Sequence, residues 1–291
     1  MERKAIIPIL LISLVMPLVL AACIFDDSEE EKWDAAKVCP ETGTNAYGMP
    51  NRGSFTDERD GNVYRYTTIG DQVWMAENLR FELPAPYSMC YGIESCYWSQ
   101  RWEFDNIGET ICNKDTASLA EIAQRMQSTC TDNDCIAEEF CDKFGRYYTF
   151  NDKVPDKIFS WILNRDIVDS VCPKGWHLPT KAEWIALGAS VENEYLRLTS
   201  ADARYTDTVY EKVGSDDCGF SALRGGRIGG KTHRGGALYY AFSAGYYWVA
   251  PDGNQNFVER IVFVTTVDPF GPDSDFLSSI RCVMDPIHPE L

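Results

Sequence analysis

The chain has 291 residues, of which 45% are hydrophobic and 13% aromatic, and 44 acidic residues outnumber 27 basic ones to give a net charge of −17. This composition supplies a packed core and excludes an intrinsically disordered protein. The acidic balance also excludes nucleic acid as a partner, because binding to phosphates depends on clustered Lys and Arg.

The N-terminal segment has the pattern of an export signal that ends in a lipidation site. Two basic residues precede an apolar run over 5–20, and the sequence LAAC follows at 20–23. The run contains two prolines and is short for a bilayer span, which favours a cleaved signal over a membrane helix. We expect cleavage after residues 1–22 and lipidation of Cys23, which anchors the protein to a membrane. The alternative is an ordinary signal peptide, which would leave a soluble protein.

The sequence after Cys23 predicts a tether, a domain and a tail. Residues 23–52 are acidic at first and then rich in Gly, Pro, Asn and Thr, which is typical of a tether. We expect the domain at 53–286 and a short tail at 287–291. The residue after Cys23 is not the Asp that marks inner-membrane retention in enteric bacteria, so the outer membrane is favoured, and surface display is compatible with it.

The cysteine count agrees with export. Of eleven cysteines, ten remain when lipidated Cys23 is set aside, and an even number in an oxidising compartment predicts disulfides. Zinc bound by Cys130 and Cys135 is a weaker alternative, because there are only three histidines and no second close cysteine pair. Six cysteines predict a stapled, locally folded insertion at about 90–141, with its connectivity left open: Cys90, Cys96, Cys112, Cys130, Cys135 and Cys141.

The first predicted elements are a hairpin and two helices. Residues 63–69 and 72–75 are rich in β-branched and aromatic residues and are separated by Gly70-Asp71, which predicts a β-hairpin. Apolar residues at helical spacing after Thr116 predict a helix, and a second is expected over 136–144, closed by Gly145.

Further along, Ile158, Trp161 and Ile162 form an apolar face suited to a helix. Thr180 and Glu183 have the spacing of a capping box, which predicts a helix from Lys181 that buries Trp184 and Leu187. From Gly219 onward, runs at 246–249, 260–266 and 280–284 are separated by glycine pairs and predict an antiparallel sheet with tight turns. The fold class is therefore α+β.

Five motifs in order resemble the Fibrobacter succinogenes major paralogous domain, a lipoprotein-rich family of largely unassigned function. They are GSFTDERDGNVYRYTTIGDQVWMAENLRF from Gly53, CDKFGRYYTF from Cys141, CPKGWHLPTKAEW from Cys172, GFSALRGG from Gly219 and SIRCVMD from Ser279. The chain departs from the family pattern in its long insertion and in the extra Cys39 and Cys218.

The motifs are more distantly similar to the C-type-lectin-like fold, which includes the formylglycine-generating enzymes. This similarity implies a mixed α+β fold with short antiparallel strands, a few helices and several disulfides. It also implies a bond between Cys172 and Cys282. Cys39 and Cys218 are then left to pair with each other.

A cluster of positive charge in the glycine-rich region is the candidate ligand site. Aromatic residues follow it closely, and together they suit an acidic or ring-shaped ligand such as a plant-wall polysaccharide. Ion pairing with the abundant carboxylates is the alternative. The candidate residues are Arg224, Arg227, Lys231 and Arg234 with Tyr246, Tyr247 and Trp248, and His233, Tyr239 and Tyr240 lie in the same stretch.

Asp268, Asp273 and Asp275 are candidate calcium ligands, as are the oxygens of the loop at 251–254. Ordinary turns use the same residue types, so no cofactor is expected and calcium is the only candidate. The sugar-binding motifs of calcium-dependent lectins are absent from the sequence.

No catalytic residues are predicted. The sequence contains neither a GxSxG elbow nor an HExxH helix, and His177 is expected to have a packing or hydrogen-bonding role. We therefore expect a non-catalytic binding or adhesion module. An envelope scaffold that binds other proteins through the cysteine-rich insertion is the alternative. An oxidase of the formylglycine-generating type is the third, and it would need a free thiol among Cys172, Cys218 and Cys282.

Overall fold

The computed structural model describes residues 32–84, 87–92, 96–99, 109–112, 116–153, 161–206, 212–229, 238–251, 253, 259–263, 267–270 and 276–286. The predicted signal and Cys23 lie outside these ranges, so lipidation stays a prediction. No helix built from the described residues has the length and apolar content that a membrane span requires.

Short strands and five α-helices alternate along the described chain. The helices are α1 (Ala35–Val38), α2 (Thr116–Met126), α3 (Asn133–Phe144), α4 (Arg165–Ser170) and α5 (Lys181–Ser190), with 3₁₀ turns at Tyr195–Arg197 and Ala203–Tyr205. The strands are β1 (Arg52–Thr56), β2 (Val63–Ile69), β3 (Gln72–Met75), β4 (Ser88–Met89), β5 (Cys96–Ser99), β6 (Glu109–Cys112), β7 (Tyr147–Tyr148), β8 (Asn151–Lys153), β9 (Trp161–Leu163), β10 (Trp176–His177), β11 (Arg227–Gly229), β12 (Leu238–Tyr239), β13 (Gly245–Val249), β14 (Glu259–Phe263), β15 (Val267–Phe270), β16 (Phe276–Leu277) and β17 (Val283–Met284). The fold is α+β with short antiparallel strands, as predicted.

The largest sheet has the strand order β1-β2-β3-β17-β10. It contains the predicted hairpin, in which β2 and β3 pair up to Ile69 and Gln72. Gly70 forms the turn with a φ of +56°, a conformation that glycine adopts without steric cost. The last strand pairs with the hairpin through Val283 and Trp74. The first and the last of the five motifs therefore lie side by side in this sheet.

The C-terminal strands form separate sheets rather than the single series predicted from their spacing. Strands β12, β11 and β16 form one sheet, and β13, β14 and β15 form another. The last strand, β17, belongs to the five-stranded sheet. Aromatic runs and glycine pairs predict strands, but the choice of partner depends on packing between distant segments.

Helix α5 begins where the sequence predicts. The N–H of Glu183 donates to Oγ1 of Thr180 at 3.3 Å, and the N–H of Thr180 donates to Oε2 of Glu183 at 2.8 Å, which completes the capping box. The helix buries Trp184 and Leu187, and the ring of Trp184 lies 4.7 Å from that of Trp74. The cap therefore orients a helix whose buried face packs on the five-stranded sheet.

The cysteine-rich region at 90–141 is joined internally by Cys90–Cys141 and Cys130–Cys135, as a stapled segment requires, but its helices pack into the core. Helix α3 starts earlier than predicted because Asp132 accepts the N–H of Cys135 at 2.9 Å, and it ends at Gly145 as predicted. The buried residues of α2 and α3 share one cluster with residues from distant segments. The cluster contains Leu119, Ile122, Met126, Ile136, Ala137, Phe140 and Phe144 with Tyr147, Tyr205, Leu223, Ile228, Phe242 and Leu277.

The prediction of a helix from Ile158, Trp161 and Ile162 is wrong for Trp161 and Ile162. Residues 161–163 form β9, which pairs with β8, and Ile158 lies outside the described ranges. The local helix, α4, starts only after Asn164, whose side-chain oxygen accepts the N–H of Ile167 at 3.2 Å. A short apolar run fits a strand and a helix equally well, so its spacing alone does not decide between them.

Four disulfides join eight of the described cysteines: Cys39–Cys218, Cys90–Cys141, Cys130–Cys135 and Cys172–Cys282. The Cys172–Cys282 pairing is the one that the resemblance implied, and Cys39–Cys218 is the pairing left over from it. Cys96 and Cys112 lie directly opposite each other on β5 and β6. The two long-range disulfides close loops of 179 and 110 residues and so connect distant parts of the chain.

The domain begins before Gly53, at Trp33, so the predicted tether at 23–52 is too long, and a tether over the residues before Trp33 stays a prediction. The compact unit starts at Trp33, whose indole N–H donates to the carbonyl of Ser190 at 3.0 Å. Cys39 is buried and disulfide-bonded. Residues 33–52 therefore belong to the domain. Their turn-forming composition is compatible with packing on a protein surface as well as with a linker, so composition alone does not distinguish the two.

Candidate functional site

The described part of the predicted ligand region lies where two C-terminal sheets meet. Arg227 begins β11, which pairs with β12 on one side and β16 on the other. A backbone bridge between Gly226 and Gly245 connects this sheet to β13. Side chains from several strands therefore converge around Arg227.

The glycine before Arg227 permits this close approach. Gly226 has a φ of +71°, and its N–H donates to the carbonyl of Ala244 at 2.8 Å. A Cβ atom at position 226 would lie 2.3 Å from the carbonyl oxygen of Tyr239 and 2.7 Å from the nitrogen of Ala241. Only glycine satisfies both the conformation and the space.

The guanidinium of Arg227 lies among aromatic rings. Its Cζ atom is 3.6 Å from the ring centroid of Phe276, 4.8 Å from that of Tyr246 and 5.7 Å from that of Tyr240. These distances are those of cation–π contacts. The ring of Tyr239 meets that of Phe276 edge-on at 5.9 Å. We call these five residues the aromatic cluster.

Tyr240 provides the exposed surface of the aromatic cluster. It is 56% exposed, whereas Tyr246 and Phe276 are buried. Its φ of +60° is uncommon for a residue other than glycine, and such strain is often found at functional positions. The rings of Tyr240 and Tyr246 are 6.0 Å apart and are inclined by 39° to each other. The cluster thus presents one well-exposed ring above a buried base.

Four residues predicted for the exposed site are buried instead: Tyr246 of the aromatic cluster, together with Arg224, Tyr247 and Trp248. Arg224 is buried and donates from Nη1 to a backbone carbonyl at 2.8 Å. The hydroxyl of Tyr247 bonds to both the N–H and the carbonyl of Leu223, and the indole of Trp248 donates to a backbone carbonyl at 2.7 Å. The prediction assumed that this strand faces solvent, but every residue of β13 is buried.

Phe276, the ring nearest to the guanidinium, is not identifiable from the sequence. It lies far along the chain from Arg227, and only the pairing of β11 with β16 brings the two together. The one local signal is its place shortly before the SIRCVMD motif, which is too weak to assign a contact.

Some of the remaining predicted ligand residues lie within the described ranges and others do not. Lys231 and Arg234 lie outside the described ranges, as do Asp273 and Asp275. Asp268 belongs to β15, where it pairs with Val262 of β14. Within the described ranges, no three side chains of His, Cys, Asp or Glu are grouped so as to hold a metal ion. Calcium binding therefore stays a prediction.

A second polar cluster surrounds His177. Its Nδ1 lies 2.8 Å from Oδ1 of Asp285, and its Nε2 lies 2.8 Å from Oε1 of Glu183. The hydrogen bond to Glu183 raises the pKa of His177, burial opposes this, and the bond to Asp285 adds to the increase. Because both ring nitrogens are engaged by carboxylates, His177 has no nitrogen left to act as a general base. The arrangement agrees with the hydrogen-bonding role expected for this histidine.

The cysteines of the C-terminal half are bonded in the described structure. Cys172 pairs with Cys282, and Cys218 pairs with Cys39. A cysteine-dependent oxidase requires a thiol that can react, and these three sulfurs are already used in disulfides. This arrangement favours a structural role for them.

Comparison with known proteins gives one family match. A family model described as the Fibrobacter succinogenes major domain matches residues 67–284. No curated protein and no solved structure matches the chain.

Proposed function

This chain belongs to the Fibrobacter succinogenes major domain family, and we propose that it is a lipid-anchored envelope protein that binds glycans and catalyses no reaction on them. The observation that carries the proposal is the exposed ring of Tyr240 on the aromatic cluster. An aromatic ring offers a flat apolar surface at a small cost in conformational entropy, and a sugar ring stacks on such a surface.

The aromatic cluster supports this role through its rigidity. The guanidinium of Arg227 lies over Phe276 and near Tyr246, so the base beneath Tyr240 is densely packed. A ring held on a packed base loses little freedom when a ligand binds. The site is therefore suited to recognition by stacking.

The structure gives less support to the alternative function, a scaffold that binds other proteins. The cysteine-rich region would have to offer a binding face, but the apolar residues of α2 and α3 pack in the core. Catalysis has little support as well, since His177 is held between two carboxylates.

The membrane attachment is proposed from the signal and Cys23 alone. We expect an outer-membrane anchor, with the domain displayed at the cell surface. Metabolic labelling with a fatty acid tests the anchor: the wild type incorporates the label and Cys23→Ala does not. Equal labelling of the two proteins would contradict lipidation at Cys23.

Retention on polysaccharides tests glycan binding. The full-length protein in detergent is passed over insoluble plant-wall polysaccharides in both amorphous and crystalline form, and wild type, Tyr240→Ala and Ile185→Ala are compared. Ile185 is a matched control because its side chain is also apolar and exposed, at 62%, and lies on α5 outside the aromatic cluster. We expect the wild type and Ile185→Ala to be retained and Tyr240→Ala to bind at least about tenfold more weakly, a loss of about 1.4 kcal/mol. Retention of none of them, or equal retention of all three, would overturn the proposal.

A further inference from the structure

We infer that the aromatic cluster accepts one sugar ring of a neutral, accessible glycan chain and not the flat face of a crystalline polysaccharide. This inference rests on the proposed function and concerns the class of glycan. Three observations carry it: the number of exposed rings among the described residues, the mutual inclination of these rings, and the net charge of the whole sequence.

The number and inclination of the rings favour a single sugar. Binding to a crystalline face requires several exposed rings in one plane, so that each meets a sugar of the same flat surface. Here Tyr240 is the well-exposed ring, Tyr246 is buried and inclined to it by 39°, and Tyr239 meets Phe276 at 80°. These rings do not form a plane, so the cluster offers one stacking position.

The net charge of the whole protein favours a neutral glycan, and the positive charge within the aromatic cluster is that of Arg227, whose guanidinium packs on Phe276. The net charge is −17, and a polymer of uronic acids carries one negative charge on each sugar ring. Long-range repulsion therefore lowers the rate at which such a polymer approaches the surface. A neutral glycan is not subject to this repulsion.

Arg227 is assigned as a positioning residue. The Cζ atom of its guanidinium lies 3.6 Å from the ring centroid of Phe276, so this group packs against the buried base of the cluster. Lysine keeps the charge but lacks the planar group that stacks on an aromatic ring. Arg227→Lys should therefore weaken glycan binding without changing the preference for neutral over acidic glycans.

The test is calorimetric titration of the full-length protein in detergent with defined probes. They are cellohexaose and xylohexaose as neutral oligomers, their disaccharides, and polygalacturonic acid, with crystalline cellulose used in a parallel sedimentation assay. We expect a neutral hexasaccharide to bind, Tyr240→Phe to retain this binding, and Tyr240→Ala to weaken it at least tenfold. Because one ring is stacked, the disaccharide should bind within tenfold of its hexasaccharide.

The outcomes separate the inference from the proposed function. Binding to crystalline cellulose alone, a preference for polygalacturonic acid, or an affinity that rises more than tenfold from disaccharide to hexasaccharide would overturn the single-ring, neutral-glycan inference and leave glycan binding intact. Absence of binding to every glycan tested would overturn both.

Discussion

Nε of Arg281 donates a hydrogen bond to Oδ1 of Asn78 at 2.7 Å, across 203 positions of sequence. Arg281 is fully buried, and its remaining N–H groups donate to backbone carbonyls of Met75, Phe220 and Ser221. These residues belong to three of the motifs that identify the family. A single guanidinium therefore satisfies backbone groups of segments that are distant in the sequence.

Arg281→Met should strongly destabilise the domain, because it leaves several buried carbonyl groups without a donor. Removing one partner from such a buried network costs about 3 to 5 kcal/mol. Urea unfolding under non-reducing conditions measures the loss. Arg204→Met is the matched control, since Arg204 is exposed and pairs with Asp202 at the surface, and it should leave the midpoint nearly unchanged. Equal midpoints for the two variants would contradict a central role for Arg281.

The contribution of His177 to stability should depend on pH. Its pKa is raised in the folded state, so its contribution is complete below the unfolded value of about 6.5 and is lost as the pH rises through the folded value. Burial raises the pKa of Glu183, but hydrogen bonds from His177 and Thr180 outweigh it and the pKa is lowered. The Glu183 contribution is therefore present above its unfolded pKa and is lost as the pH falls through the lower, folded value.

The stabilising contributions of His177 and Glu183 are both present at pH values between the unfolded pKa values of Glu and His. The free energy of unfolding of the wild type minus that of His177→Gln should be largest at about pH 5 to 6.5 and should decrease at alkaline pH. Urea titrations from pH 4 to pH 9 measure this difference. A difference that stays constant over the whole range would show that the charge on His177 is not involved.

Gly226→Ala should destabilise the domain more than Gly61→Ala does. Both glycines have a positive φ, of +71° and +80°, so both variants bear a backbone strain of about 1 to 2 kcal/mol. Only at position 226 does the new Cβ clash with backbone, because Gly61 has open space around it. We expect Gly226→Ala to cost at least about 2 kcal/mol more in thermal or urea unfolding. Equal costs would mean that β11 and β12 can separate without penalty.

Removal of Cys39–Cys218 should cost more stability than removal of Cys130–Cys135. The first bond closes a loop of 179 residues and the second a loop of 5, and chain entropy assigns roughly 5 and 2 kcal/mol to loops of these sizes. Paired Cys→Ser substitutions compared by urea unfolding test the order. The reverse order would indicate that packing around Cys130 and Cys135 outweighs loop entropy.

Features that depend on neighbouring residues are predictable from the sequence. The turn at Gly70 and the cap formed by Thr180 and Glu183 are examples, because their hydrogen bonds and dihedral angles involve residues within a few positions. The distant similarity to the C-type-lectin-like fold adds the expectation of the Cys172–Cys282 bond, which spacing alone does not specify.

Features that depend on distant partners are not predictable in this way. Residues 161–163 form a strand because β8 pairs with them, and Trp248 is buried because Tyr148 and its neighbours cover it. For the same reason Phe276 could not be assigned to the aromatic cluster, whereas Arg227 could be nominated from its local charge and aromatic context.

The Cys39–Cys218 bond also determines how the domain responds to force. A pull applied between the N-terminal side of Cys39 and the C-terminus is transmitted across the disulfide, so the chain between the two cysteines stays inside a closed covalent loop. The hairpin of β2 and β3 and helices α2 to α5 all lie within this loop. Because Cys172–Cys282 bridges the stretch that follows Cys218, only the segments before Cys39, between Cys172 and Cys218 and after Cys282 can be drawn out while both bonds are intact, which limits the extension that tension along the chain can produce.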